Sequence, residues 1–486
     1  MDMKQNYIYL FLVSVILLLQ DIKVEAASME DKTHNRLLEI VKAQQVALSD
    51  DALVIWELAE LGFMENKSSL ILQRRLKNAG FTVTPGVAGM PTAFVASFKI
   101  GLGSVIGLLA EFDALPGLSQ DATKERKEIP GKQTAHGCGH NLIGAATTAS
   151  AIALKQWLAE SGTQGEIRLY GCPAEEGGSG KIYLVREGFF KDVDAVIHWH
   201  PSDYNGYYTS THMANISGKF RFHGISAHAA AAPERGRSAL DGVQVMNLVV
   251  EFLREHIPDK TRIHYVITNG GKAPNVVPDF AEVFLTVRHS NPQVVKDVWD
   301  RIVDTSRGAA IATETTSDYE IISGMYPLLI NRTLVDIAAR NFKSLSIPAW
   351  NNEQMDFANG IAKSLEKPGE FNPAVILPPY PAKEVNASTD VGDISWVVPT
   401  VGIFSMSWIP GTAAHTWQAV AASDSSLGVQ GAFVAAEVIV TTAAELFLNP
   451  EIVQASKKEM FDARGKDYIY EPMLGNRKPA LNYREE

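Results

Sequence analysis

Hydrophobic positions along the chain change rhythm twice. From Lys32 to Leu61, Leu37, Leu38, Ile40, Val41 and Leu48 recur at helical spacing, and Ser69–Leu76 resumes that period beyond Gly62. Thr82–Phe98 and Ser104–Phe112 then predict strands. The second contains a Val-Ile-Gly-Leu-Leu-Ala run without polar alternation, as expected of a central strand covered on both faces. Asn141–Glu160 and Lys181–Phe189 follow as expected helices, Glu166–Cys172 and Ala195–Trp199 as strands. Strands alternating with helices predict an α/β fold with a mostly parallel sheet.

From Ala214 the rhythm breaks. Gly218–Gly224 alternates, a helix is expected over Ser238–His256, strands over Arg262–Thr268 and Ala281–His289, and a helix over Pro292–Ile311. This β-α-β-β-α order is that of a small α+β unit. Helices return beyond Tyr326, with an apolar strand Thr400–Met406 and an Ala-rich helix Leu427–Leu448. The proline-dense stretch Lys367–Lys383 reads as a surface loop. The expected architecture is a discontinuous catalytic domain, residues 27–213 and 326–486, interrupted by an inserted α+β domain, residues 214–325.

Composition narrows the classes. With 486 residues, 46% hydrophobic and 20% charged, the chain is a soluble globular protein able to bury a large core. Its net charge of −11 is the wrong sign for binding nucleic acid. Two cysteines, Cys138 and Cys172, provide no disulfide framework. Tyr7–Leu19 is apolar apart from Ser14, follows Lys4 and precedes small residues at Val24-Glu25-Ala26-Ala27. Residues 1–26 therefore read as a signal peptide, too short for a bilayer span of about 20 residues. No other segment reads as a span, so the mature chain is expected to be secreted or periplasmic and free of the membrane.

Candidate chemistry collects at the ends of the expected strands. Cys138 and His140 stand two apart among glycines, half of a site for a borderline-soft metal; a buried free cysteine and a helix-capping histidine are the bland alternative. Glu175 and Glu176 follow one strand in a glycine-flanked turn, His198 and His200 end the next, and His415 lies just past Thr400–Met406. In α/β sheets such strand ends are where sites form. A site with one Cys, one Glu and three His has more ligands than one tetrahedral catalytic zinc needs, so a pair of ions about 3.5–4 Å apart fits better. A carboxylate not spent on metal is then the natural general base. His198 and His200 point the same way, so either is a candidate ligand.

These residues resemble the M20 metallopeptidases and amidohydrolases, in the branch of the aminobenzoyl-glutamate hydrolase B-type chain and the β-alanyl-lysine dipeptidase-like proteins. The resemblance spans Gly107–Pro116, His136–Asn141, Pro173–Gly178, Trp199–Pro201, Ser226–Ala230, Asn275–Pro278, Ser388–Asp393 and His415–Trp417. It implies that two divalent ions per subunit, Zn²⁺ or Mn²⁺ with Co²⁺ as a third option, bind Cys138, His140, Glu176, His200 and His415. Glu175 is then the general base for a metal-bound water, and Asp113 orients a ligand. The inserted domain is implied to be a lid and dimer interface, in which His228 reaches the partner's site to stabilise an oxyanion. Asn275 is implied to bind substrate; Arg288 is a weaker candidate for gripping a substrate carboxylate. Asn141, where many relatives of the wider branch carry aspartate, favours substrates with an amino-acid leaving group.

The expected activity is hydrolysis of an amide bond N-terminal to an amino acid, in aminobenzoyl-glutamate-like compounds, N-acyl amino acids or dipeptides. The alternatives are a dipeptidase for basic or β-alanyl dipeptides, a secreted non-catalytic binding protein on the same fold, and a cysteine hydrolase using Cys138 with His140. The last lacks an orienting third group. A homodimer is expected, with a homologous second subunit as the alternative.

Overall fold

A computed structural model describes residues 31–380 and 388–484; the expected signal peptide and the end of the loop at Lys383 lie outside them. Three helices, Asp31–Ala43, Gln45–Leu58 and Asn66–Asn78, open the described chain. Strands β1 (Thr82–Pro85), β2 (Phe94–Ile100) and β3 (Val105–Glu111) follow, then a short hairpin of β4 (Leu115–Pro116) and β5 (Thr134–Ala135). The helix His140–Ser161 leads to β6 (Gly165–Cys172), and Gly180–Arg186 to β7 (Ala195–Ser202) and β8 (Gly206–Tyr207). The inserted unit comprises β9 (Ala214–His223), the helix Ala239–Leu253, β10 (Arg262–Asn269), β11 (Phe280–His289), the helix Pro292–Ala312 and β12 (Thr316–Met325). Helices Arg332–Ser344, Asn352–Ala362 and Val391–Ser395 precede β13 (Thr400–Met406); Trp417–Ser423, Ser426–Leu448 and Pro450–Arg464 follow it.

The main sheet has the order β1-β2-β6-β3-β7-β13-β8. Its four inner strands β6, β3, β7 and β13 run parallel, while β1, β2 and β8 are antiparallel additions at the edges. β3 is the middle strand, and six of its seven residues are buried, as its unbroken apolar run requires. Helices His140–Ser161 and Ser426–Leu448 pack on each other and on this sheet. Ser426–Leu448 corrects the expectation that no segment beyond the leader is long and apolar enough to cross a membrane. It meets that test over 23 residues, but 83% of its most apolar window is buried in the core.

The inserted unit is a four-stranded antiparallel sheet, β10-β11-β9-β12, with Ala239–Leu253 and Pro292–Ala312 sharing a core of Phe220, Phe222, Val243, Val283, Val287 and Trp299. It carries one strand more than the periodicity indicates. β12 was not expected, because as a sheet edge it keeps most of its residues partly exposed and shows no apolar alternation.

Candidate metal centre

The carboxyl ends of the inner strands converge on one cavity of about 700 Å³. β3 ends in Glu111 and is followed by Asp113; β6 leads into Glu175 and Glu176; β7 carries His198 and His200; the turn beyond β13 carries His415. Cys138 and His140 enter at the start of the long helix, one on each side of Gly139 at φ 71°. A side chain at Gly139 would collide with Pro201, so the cysteine loop and β7 approach backbone to ring.

Donor atoms group as the chemistry of a cation site demands. Cys138, His140 and His200 form one cluster and Cys138, Glu176 and His415 a second, each with its ligand atoms within 4.8 Å of one another. Cys138 belongs to both. Sγ of Cys138 lies 3.3 Å from Nε2 of His200. His200 Nδ1 donates to the Pro201 carbonyl at 2.7 Å and His140 Nδ1 to Asp113 Oδ1 at 2.9 Å, so both rings turn Nε2 inward. The second oxygen of Asp113 accepts from the Glu176 amide at 2.9 Å, so this fully buried carboxylate sets two donors at once. Among the described residues, the buried atoms His140 Nε2 and Glu176 Oε1 make no hydrogen bond; His140 Nε2 lies 3.4 Å from Glu111 Oε2. Glu176 Oε1 instead faces His415 Nε2 at 3.1 Å. Buried, inward-facing donors of this kind fit a bound cation.

His198 lines the same cavity but joins neither cluster; its ring packs against Tyr208 at 4.7 Å, and burial pushes its pKa down to about 3. Arg288 reaches the cavity from β11, where it sits opposite Asn215 at the joint between the domains. His228 and Asn275 do not line it. They lie together on exposed loops of the inserted unit, tied by the Ala229 amide to Asn275 carbonyl bond at 3.0 Å. Nδ1 of His228 accepts from the amides of Ala230 and Ala231, which leaves its Nε2–H as a donor to solvent.

Three residues to which the sequence assigns no role complete the site: Glu111, Lys181 and Asp390. Lys181 is wholly buried and pairs with Glu111 at 2.7 Å and Asp390 at 2.6 Å. Burial opposes its charge, but the two carboxylates outweigh it and raise its pKa. Glu175 lies within reach of the same carboxylates. Burial first, then repulsion from Glu111, pushes its carboxyl well above the usual range. For Glu176 burial acts in the same sense, but the His415 contact prevails and its pKa is lowered. Burial pushes the Cys138 thiol up to about 12. One signal in the sequence marks Glu111, a lone carboxylate closing an otherwise apolar strand.

An interrupted α/β domain with overlapping clusters of cation donors at its strand ends is the frame of a metal-dependent hydrolase. Residues 211–314 match the peptidase dimerisation domain of the M20 peptidases. The chain is 40% identical over 450 residues to the B chain of p-aminobenzoyl-glutamate hydrolase from Escherichia coli, covering 87% of this chain and 93% of that protein. It is 29% identical over 445 residues to Xaa-Arg dipeptidase of Mus musculus, covering 87% and 92%. A dinuclear metal-binding peptidase of the M20 family from Bacillus subtilis shares the fold with a TM-score of 0.54 at 18% identity, over 83% of this chain and 99% of that one. The chain belongs to the M20 family of metallopeptidases and amidohydrolases, enzymes that hydrolyse amide bonds.

Proposed function

We propose that the protein hydrolyses the amide bond N-terminal to an amino acid in small substrates, of which p-aminobenzoyl-glutamate, N-acyl amino acids and dipeptides are the candidates. The observation that carries this reading is the pair of donor clusters sharing Cys138, with the Glu175 carboxylate beside them near His140 and Glu176. Cys138, His140 and His200 would hold one cation, and Cys138, Glu176 and His415 a second. Thiolate and imidazole donors suit Zn²⁺, with Mn²⁺ or Co²⁺ admitted by the carboxylate. Two such ions, when bound, supply Lewis acidity and a water acidic enough to attack near neutral pH.

The protein's own groups do the rest. Glu175 takes the proton of the attacking water and hands it to the leaving amine, a task for a carboxyl whose proton affinity burial raises. Asp113 keeps His140 and Glu176 in register. Arg288, whose buried Nε has no partner among the described residues, is placed to grip a substrate carboxylate.

A homodimer fits this reading. β10 is a sheet edge exposing Tyr265, Val266 and Ile267, and Ala239–Leu253 exposes Leu248, Val249 and Phe252. An unpaired edge beside an apolar helix face is an association surface. The E. coli relative is one of the subunits of its enzyme, which keeps a homologous partner as the second option. The apolar run Tyr7–Leu19 supports export. The test is hydrolysis by the metal-loaded protein of p-aminobenzoyl-glutamate and a panel of N-acyl amino acids and dipeptides. Release of the free amino acid, abolished by a chelator, is expected; inertness towards every compound with metal bound would refute the activity.

A further inference from the structure

The loop that carries the glutamate pair has an unusual backbone. Ala174 and Ser179 at its two ends both adopt φ 56°, Gly177 adopts φ 94°, and Glu176 has ψ 70°. Left-handed non-glycine residues are strained and persist only where the surroundings over-determine them. One constraint comes from the opening helices: the Ala174 amide donates to buried Glu65 at 2.8 Å. The other comes from far along the chain.

Beyond Pro450–Arg464 the segment 465–484 has no helix or strand, yet it crosses the molecule. Tyr470 donates to Asp393 at 2.7 Å and Tyr326 donates to the Glu471 carbonyl at 2.9 Å. Met473 enters the core of the inserted unit and Leu474 a core of the catalytic domain. Arg186 donates to the Arg477 carbonyl at 2.7 Å, and Arg477 to the Ile322 carbonyl at 3.0 Å. The segment then reaches the site. Tyr483 packs edge-on against Phe63, and its hydroxyl donates to the Glu176 carbonyl at 2.9 Å; Arg484 Nη2 donates to that same carbonyl. A side chain at Gly62 would strike the Tyr483 hydroxyl, so the neighbouring chain is shaped to admit it.

We propose that residues 465–484 form a strap whose Tyr483 and Arg484 are positioning residues for the metal centre. At ψ 70° the Glu176 carbonyl leaves the helical ladder, and the two strap donors hold it there. Fixing that peptide fixes the direction in which the Glu175 and Glu176 carboxylates leave the loop. The strap thus selects the loop conformation that brings Glu176 to Cys138 and His415 while Glu175 stands beside it near His140. The proposal rests on the reading of Glu176 as a metal ligand and Glu175 as the proton carrier.

The test uses the full chain loaded with Zn²⁺ and carrying Tyr483→Phe with Arg484→Ala. Zinc release into a chelator, kcat and KM on p-aminobenzoyl-glutamate, and the melting of the zinc-free protein are measured together. The double variant is expected to lose one zinc about tenfold faster and to lose kcat with KM unchanged, as removal of an orienting partner does at metal sites. Arg484→Lys, which keeps a donor, should recover much of both. Arg340→Ala, which breaks a pair with Glu445 remote from the loop, is the stability control. Wild-type zinc release by the double variant, or equal acceleration in Arg340→Ala, overturns the strap's role. Glu176→Ala separates the two readings. If it sheds zinc while the strap variant retains it, the strap alone is refuted; if both retain it, the loop's assignment falls and the proposal with it.

Discussion

Glu175 and Glu176 are adjacent and chemically identical, yet their surroundings push their acidities apart. Glu175 is buried beside Glu111, which favours its protonated form; Glu176 faces His415, which favours the anion. Divergence of this kind separates a proton carrier from a ligand. The donor clusters make a sharper statement, because Cys138 belongs to both while His200 and His415 belong to one each. Cys138→Ala is expected to lose both metal equivalents, His200→Ala and His415→Ala one each, and His198→Ala none, read by elemental analysis of the dialysed protein. Retention of both ions by His200→Ala with loss in His198→Ala would reverse the choice between the two histidines. The donors themselves are legible in the chain, since thiol, imidazole and carboxylate recur at the ends of successive predicted strands, where α/β sheets place their sites. Lys181 and Asp390 are not. They are 209 positions apart, and a lysine at helical spacing reads as a solvated face until the fold closes it between two carboxylates.

β3 is readable because burial on both faces leaves a sequence signature, an unbroken apolar run suited to a covered parallel strand. β12 and the strap have no such signature, since each is held by tertiary partners rather than by its own pattern. Asp393 in the short helix Val391–Ser395 joins these elements, accepting from the Tyr326 amide at 3.0 Å and the Tyr470 hydroxyl at 2.7 Å. Burial raises its carboxyl from the ordinary 3.8 to about 7. Between those values the folded chain holds a proton that the unfolded chain has released. This group's stabilisation is therefore fully present below about pH 4 and is lost as pH rises through 7. Asp393→Asn keeps an acceptor and removes the titration. Its melting temperature should fall less steeply than that of the wild type between pH 4 and 7, and parallel profiles would show that Asp393 is ionised throughout.

At the scale of the whole molecule, the inserted unit sends Arg288 into the cavity but keeps His228 out of its lining. His228 is exposed and presents Nε2–H outward, while the edge strand β10 and the face of Ala239–Leu253 expose apolar side chains. If the partner's His228 completes each site, two differently disabled chains should repair each other. Glu175→Gln should keep its metal and lose turnover about 10²–10⁴-fold, since only the proton carrier is gone. His228→Ala should keep both metal and Glu175 and lose about 10²–10³-fold through the missing donor. In a mixed dimer, the His228→Ala chain contributes an intact metal centre and the Glu175→Gln chain reaches into it with an intact His228. The reciprocal site carries both defects. Random reassortment of equal amounts makes half the dimers mixed with one competent site in each, so about a quarter of wild-type turnover should return. No recovery after verified subunit exchange would mean that His228 acts within its own chain or not at all. Phe252→Glu with Val266→Glu, which places charge on the exposed face without touching a core, should yield a monomer that binds metal and fails to turn over. A fully active monomer would refute completion of the site by a partner.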